Sequence, residues 1–268
     1  MPSIAFEGAV ALVGGGNMGG AMLDGWLDAG LAGDRVRVID PGLSDSKRAR
    51  WGERGVRFEE DDTPPALLMI AVKPQIVEEV LASAAAIVGP QTLVASVAAG
   101  VKLARMEAAF GDQQPCLRAM PNTPAQIGRG VSVCCANDHV TTAQRGHADA
   151  LLRAIGAVEW IEDEGAMDAV TAVSGSGPAY VFHLTEALAA AGIEAGLPRE
   201  LAERLALHTV GGAGELMHRS DMPPGRLREA VTSPNGTTEA GLAVLMPELT
   251  KLMSRTVAAA KERSRELG

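Results

Sequence analysis

An α/β domain followed by an all-α domain is the fold class this sequence predicts, and three observations carry that prediction. Short apolar runs alternate with amphipathic stretches from residue 9 to about 162. Strand-like β-branched runs then vanish, and Ala/Leu-rich stretches with helical spacing take over. Finally, Gly196-Leu197-Pro198, Pro223-Pro224-Gly225, Pro234-Asn235-Gly236 and Pro247 fall where helices should stop or start. The expected domains are 1–163 and 164–268.

In chain order, the first half predicts strands at 9–14 (AVALVG), 35–40 (RVRVID), 66–72 (ALLMIAV), 92–98 (TLVASVA), 116–120 (CLRAM), 130–136 (GVSVCCA) and 157–162 (AVEWIE). Helical patterns separate them at about 17–30, 44–53, 75–87, 102–109 and 141–155. Continuously apolar strands between helices imply a largely parallel sheet covered on both faces. The second half predicts helices at 165–173, 177–195, 198–218, 224–231, 237–245 and 247–266. The stretch "HLTEALAAAGIEA" at 183–195 carries Ala on nearly every face. A helix that is small or apolar all round is expected to be covered on all sides, and pairing with a second copy would supply that cover.

Composition excludes several classes. The formal net charge of −9 and the lack of a dense Lys/Arg cluster argue against a nucleic-acid partner. No apolar run approaches the roughly 20 residues needed to span a bilayer. Residues 1–34 contain no Lys or Arg, as neither a secretory signal nor a transit peptide would, so a cytoplasmic protein is expected. Cys116, Cys134 and Cys135 lack metal-ligand spacing and are expected to be reduced packing residues, as are Trp160 and His208 in their packing role; no metal site is expected.

The chemistry begins at "AVALVGGGNMGGAML". A strand is followed by Gly14-x-Gly16-x-x-Gly19 and an apolar helical pattern. In a Rossmann-like domain the first glycine allows the turn, the second lets the backbone approach a pyrophosphate, and the third lets helix and strand pack closely. A register one residue later, from Gly15, is also open. Asp40 ends the second strand 21 residues after Gly19, where a carboxylate can bind the ribose 2′-hydroxyl of NAD. It would repel a 2′-phosphate, but Lys47 and Arg48 lie nearby and could neutralise one, so NAD and NADP both stand.

Further along come "AVKPQ" at 71–75, "SVAAG" at 96–100, "RAMPNTPAQIGRG" at 118–130, "DAVTAVSGSGPAYVF" at 168–182 and "VTSPNGTTEAGL" at 231–242. Together with "GGGNMG" these resemble the pyrroline-5-carboxylate reductase family, in order and spacing, from about residue 9 to about 250. The resemblance implies a Rossmann-like N-terminal domain, an all-α C-terminal dimerisation domain that interlocks with a second subunit, and reduction of 1-pyrroline-5-carboxylate to L-proline by NADPH or NADH. It implies cofactor contacts at Gly14, Gly16, Asn17, Met18, Gly19, Asp40, Ala71, Val72, Lys73, Pro74, Ala98, Pro121 and Asn122. It implies substrate contacts at Ser176, Ser233, Asn235, Gly236, Thr237 and Thr238, with Thr238 as the catalytic hydroxyl. One departure is visible: the substrate loop of the family carries two glycines, and the first is Asn235 here. Asn tolerates left-handed backbone angles better than other non-glycine residues, so the loop shape should be kept.

The chemistry asks little of the protein. A protonated cyclic imine is already electrophilic, so two rings must be held face to face and a hydrogen-bonding group offered at nitrogen. None of the five histidines lies in a Gly/Ser/Thr-rich motif. The substrate carboxylate is expected on amides around Ser233, Gly236 and Thr237 at a helix start. "AVKPQ" should lie at the sheet edge beside ribose and nicotinamide, "MPNTP" beneath the nicotinamide, and "SGSGPAY" on the floor of the site, with Ser174 or Ser176 capping the helix it opens. A related NAD(P)-dependent reductase of another imine or of a keto or hydroxy acid is the nearest rival; a dinucleotide sensor without turnover is the second. A hydroxy-acid enzyme would need a proton-accepting His or Lys, which "SPNGTTEAGL" does not offer.

Overall fold

The computed structural model describes residues 4, 6–59 and 63–267. The first half builds β1 (Val10–Val13), α1 (Asn17–Asp28), β2 (Val36–Ile39), α2 (Asp45–Gly52), β3 (Leu67–Ile70), α3 (Val77–Ala84), β4 (Leu93–Ser96), α4 (Leu103–Phe110), β5 (Cys116–Met120), β6 (Gly130–Ala136), α5 (Thr142–Arg153) and β7 (Gly156–Trp160). The strands form one sheet in the order β2-β1-β3-β4-β5-β6-β7, and β1 starts the register with Val10 opposite both Val36 and Leu67. All neighbours are parallel except β5 and β6, which run antiparallel. The largely parallel sheet expected from the apolar strands is present, with that one reversal where the short segment 121–129 turns the chain straight back.

Alternation along β1 shows why the strands carry no polar face. Val10 and Leu12 join one buried cluster with Met22, Leu23 and Trp26 of α1, Trp51 of α2 and Leu151 of α5. Ala11 and Val13 join another with Val77 and Leu81 of α3 and Met106 of α4. Helices on both faces leave no side of β1, β3 or β4 to water, the condition under which parallel strands become largely apolar, whereas Ala157 and Glu159 of the edge strand β7 are exposed.

After β7 the chain makes α6 (Met167–Val170), a π-helical turn at Thr171–Gly175, α7 (Gly177–Glu194), α8 (Arg199–Arg219), α9 (Pro224–Ala230) and α10 (Thr237–Leu267). Backbone contacts divide the chain into one unit of residues up to Gly175 with those from Lys261 onward, and a second of Ser176–Ala260. Two expectations are corrected. Pro247 does not separate two helices; it lies inside the 31-residue α10. Proline removes one N–H and costs about 3 kcal/mol in a helix interior, but the Ala, Leu, Met, Glu and Lys on either side are strong helix formers and carry the helix past it. Nor does Ser174 or Ser176 cap α7: Ser174 Oγ donates back to Val170 O at 3.0 Å, and Ser176 makes no side-chain cap bond. Ser176 keeps helical angles (φ −85°, ψ −21°) from the π-turn, which forbids the extended geometry of a capping serine.

Candidate active site

The glycine loop between β1 and α1 is shaped at three positions. Gly14 has φ +95°, and a Cβ there would stand 2.6 Å from Ala71 O. A Cβ on Gly19 would stand 2.0 Å from Gly14 O, so only glycine lets α1 start this close to β1. At Gly16 a Cβ would meet nothing within 4 Å, so the loop is open at that point to an approaching group. Gly15 differs from Gly16, since its Cβ would strike Leu43 Cδ1 at 2.7 Å. Close contact, open face and close contact thus fall on Gly14, Gly16 and Gly19, the register a pyrophosphate cradle needs. Asn17 and Met18 open α1 directly after it.

Side chains from α2 and β2 brace this loop. Gly15 N donates to Asp40 Oδ2 at 2.7 Å and Gly42 N to Asp40 Oδ1 at 2.9 Å. Lys47 Nζ donates to Gly15 O at 2.7 Å and Gly16 O at 3.2 Å, 5.6 Å above the Trp51 ring. The sequence suggested a carboxylate and a lysine for the ribose; it did not reveal that both also hold the loop, because their partners are backbone atoms 25 to 32 residues away.

Ala71 and Val72 follow β3 and abut the glycine loop, with Val72 Cγ1 2.9 Å from where a Gly14 Cβ would be. Lys73 and Pro74 continue outward into solvent. The β1/β3 junction is where strand order reverses in this sheet, and ligands of such folds lie beyond the carboxyl ends of the strands at that point. Ala98, past β4, is buried, and its backbone is engaged locally: its N–H donates to Ser96 Oγ at 3.2 Å and its carbonyl accepts from Val101 N at 3.4 Å. Pro121 is buried as well. Asn122 is half-buried and its amide is committed: it accepts from Val131 N at 2.9 Å and donates to Ser174 O at 3.1 Å. It thereby ties the "MPNTP" loop to the π-turn, a link no sequence spacing could announce.

The loop between α9 and α10 belongs to the second unit. Asn235 has φ 58°, alone among described non-glycine residues in taking a positive φ, and its N–H donates to Glu239 Oε2 at 2.7 Å. Gly236 N donates to Ser233 O at 3.0 Å. This corrects one expectation: the Gly236 amide is not free for an anion, because it closes the turn that positions the helix start. The N–H groups of Thr237 and Thr238 lie in the first turn of α10, where no intrahelical carbonyl is in reach, and both residues are exposed. Ser233 is exposed beside them.

The three thiols are buried in the sheet unit. Burial, with lesser help from Glu107, pushes Cys116 up to about 12; burial and then Cys135 push Cys134 up to about 12; burial and then Glu164 push Cys135 up to about 11. They are neutral packing groups. Trp160 is half-buried, with Arg145 stacked 4.1 Å from its ring centroid. His208 departs from expectation: it is exposed on α8, because the face it occupies is not covered within one chain. Among the described residues, no helix is long and apolar enough to cross a membrane.

A glycine cradle at a strand-order reversal, followed by an all-helical second unit, defines a two-domain nicotinamide-dinucleotide oxidoreductase. Family models agree in both halves: residues 9–100 match "NADP oxidoreductase coenzyme F420-dependent", and residues 164–267 match "Pyrroline-5-carboxylate reductase dimerisation". The chain is 39% identical over 263 residues to pyrroline-5-carboxylate reductase of Pseudomonas aeruginosa, covering 96% of each, and 36% identical over 277 residues to that of Pisum sativum, covering 100% of this chain and 98% of the relative. The solved pyrroline-5-carboxylate reductase of Coxiella burnetii superposes with a TM-score of 0.90 at 33% identity, covering 97% of this chain and 98% of that one. That of Plasmodium falciparum, solved with NADP bound, gives 0.79 at 28% identity over 99% of both. The chain belongs to the pyrroline-5-carboxylate reductase family.

Proposed function

We propose that this chain reduces the C=N bond of 1-pyrroline-5-carboxylate to give L-proline, with NADH or NADPH as hydride donor. The observation that carries this reading is the pairing of two sites in one chain of the family: an open cradle at Gly16 and a helix start at Thr237 with unpaired first-turn amides. When bound, the reduced nicotinamide supplies the hydride. Gly14, Gly16, Asn17, Met18 and Gly19 hold the pyrophosphate, where the first amides of α1 and its dipole favour negative charge. Asp40 faces the adenosine ribose, and Ala71, Val72, Lys73, Pro74 and the Ala98 backbone line the path toward the nicotinamide. Pro121 and Asn122 form the shelf beneath it.

The amides of Thr237 and Thr238 bind the substrate carboxylate, each charge–dipole interaction contributing roughly 0.3–1 kcal/mol and more where water is excluded. Ser233 and Ser176 complete the polar lining, while Asn235 and Gly236 hold the turn. The Thr238 hydroxyl hydrogen-bonds the ring nitrogen. No strong general base is required, since the imine arrives protonated and the chain need only position it.

Cover for the helical unit comes from a second copy. Phe182 and Leu184 on α7, Leu205 and Leu216 on α8, and Val244 and Leu252 on α10 are exposed in the single chain. A homodimer through these faces, in the cytoplasm, is the assembly we infer, with domains 1–163 and 164–268. Anaerobic mixing of the purified protein with 1-pyrroline-5-carboxylate and each reduced cofactor, followed by loss of reduced-nicotinamide absorbance, tests the activity. Oxidation of at least one cofactor, with L-proline formed in equal amount, is expected; no oxidation of either contradicts the reading.

A further inference from the structure

We propose that Asp40 makes this chain an NADH-preferring enzyme by excluding a phosphate from the 2′ position of the cofactor ribose. The inference rests on the cofactor reading above and adds the choice between the two dinucleotides. A cavity of about 480 Å³ opens at the carboxyl end of β2, with Ile39, Asp40, Pro41, Arg48, Phe58 and Glu59 among its walls. Asp40 cannot swing away from it: each carboxylate oxygen is held by a backbone amide, Gly15 N at 2.7 Å and Gly42 N at 2.9 Å. A carboxylate oxygen that accepts one bond keeps a lone pair, so Asp40 can still accept from a ribose hydroxyl. A phosphate has no proton to give at neutral pH and brings close to two negative charges to the same wall.

Two cations follow β2, and each already has a partner within the chain. The Lys47 ammonium is taken up by Gly15 O and Gly16 O, so it serves the pyrophosphate loop. The Arg48 guanidinium carbon lies over the Phe58 ring, 4.7 Å from its centroid, and shares the cavity with Glu59 as well as Asp40. A guanidinium beside an aromatic ring can also stack on an adenine, which both cofactors carry alike. Arg37, also in the wall, is buried.

Wild type, Asp40→Asn and Arg48→Ala would be compared in the full chain by steady-state kinetics with NADH and NADPH at fixed 1-pyrroline-5-carboxylate, and by fluorescence titration of each reduced cofactor without substrate. Asn keeps an oxygen for the Gly15 amide and removes the charge, giving up only the acceptor for Gly42 N. Expected are a wild-type kcat/KM at least about tenfold higher with NADH, a gap that narrows about tenfold in Asp40→Asn through better use of NADPH, and equal weakening of both cofactors in Arg48→Ala. The proposal is overturned by equal or better wild-type use of NADPH, by equal loss of both cofactors in Asp40→Asn, or by selective loss of NADPH in Arg48→Ala. Binding of neither cofactor would instead overturn the dinucleotide reading on which the proposal stands.

Discussion

In the sheet unit Trp26, Trp51, Leu67 and Met106 are wholly buried, whereas the 31-residue α10 buries no side chain and α7 buries only Ala189. Both regions are rich in apolar residues, so the difference lies in closure. Helices on two faces of a parallel sheet complete a core within one chain; long helices with small side chains do not. The proposed ligand sites differ in parallel. The glycine loop is braced by Asp40 and Lys47, while the loop before α10 is exposed and held by its own turn bonds. One region is finished by its own chain; the other is left open in the single chain.

The largest effect should come from breaking the second-copy cover proposed for the helical unit. Phe182 is 64% exposed in the single chain, so Phe182→Asp would be nearly neutral if that face met only water. If it is an interface, burying one Phe contributes roughly 1.5–3 kcal/mol and an unpaired carboxylate there costs more. Light scattering should show the oligomer falling to monomer, with activity down more than tenfold; unchanged mass would place the contact elsewhere.

Closure of the sheet core is sharpened by pH. The folded thiols are raised to about 12, 12 and 11 from 9.0, so well below pH 9 all are neutral in both states and contribute no pH dependence. As pH rises through 9 the unfolded chain ionises first, and stability falls, by at most roughly 1.4 kcal/mol per unit for each thiol until the folded values are reached. Denaturant midpoints between pH 8 and 10, compared with a triple Cys→Ala variant, check this; equal slopes would contradict it.

Next in size is a contrast within the glycine loop. Gly19→Ala drives a Cβ against Gly14 O, and a loss of about 2–4 kcal/mol in unfolding free energy is expected. Gly16→Ala meets open space, so its melting temperature should stay put while dinucleotide affinity drops roughly tenfold. Calorimetric melts with cofactor titrations separate the two; similar melts for both variants would remove the register assigned here.

The second region is probed more gently. Thr238→Ala should lower kcat about tenfold to thirtyfold, the worth of one charge-assisted hydrogen bond, with cofactor KM nearly unchanged. Asn235→Gly should change stability by less than about 0.5 kcal/mol, since φ 58° suits both residues, whereas Asn235→Ala should cost about 1 kcal/mol. Thermal melts of the pair read the difference.

Legibility in the sequence followed the same divide between local and distant causes. The strands, the cradle glycines and the helix starting at Thr237 are written in consecutive residues, so periodicity and turn chemistry find them. The continuation of α10 through Pro247 was not, because the propensity of some 20 following residues outweighs one lost hydrogen bond. Nor were the ties from Asp40 to Gly15 and from Asn122 to Ser174, which depend on how the chain returns to itself. The Gly236 amide was misread for a local reason: a turn tight enough to present Thr237 uses that N–H to close.

Calorimetric titration of reduced dinucleotide and of L-proline into wild type, Gly16→Ala and Thr238→Ala tests most directly whether the two regions divide the ligands between them. A crossed result is predicted: Gly16→Ala weakens the dinucleotide and spares proline, Thr238→Ala weakens proline and spares the dinucleotide. Loss of dinucleotide affinity in Thr238→Ala equal to that in Gly16→Ala would contradict the division.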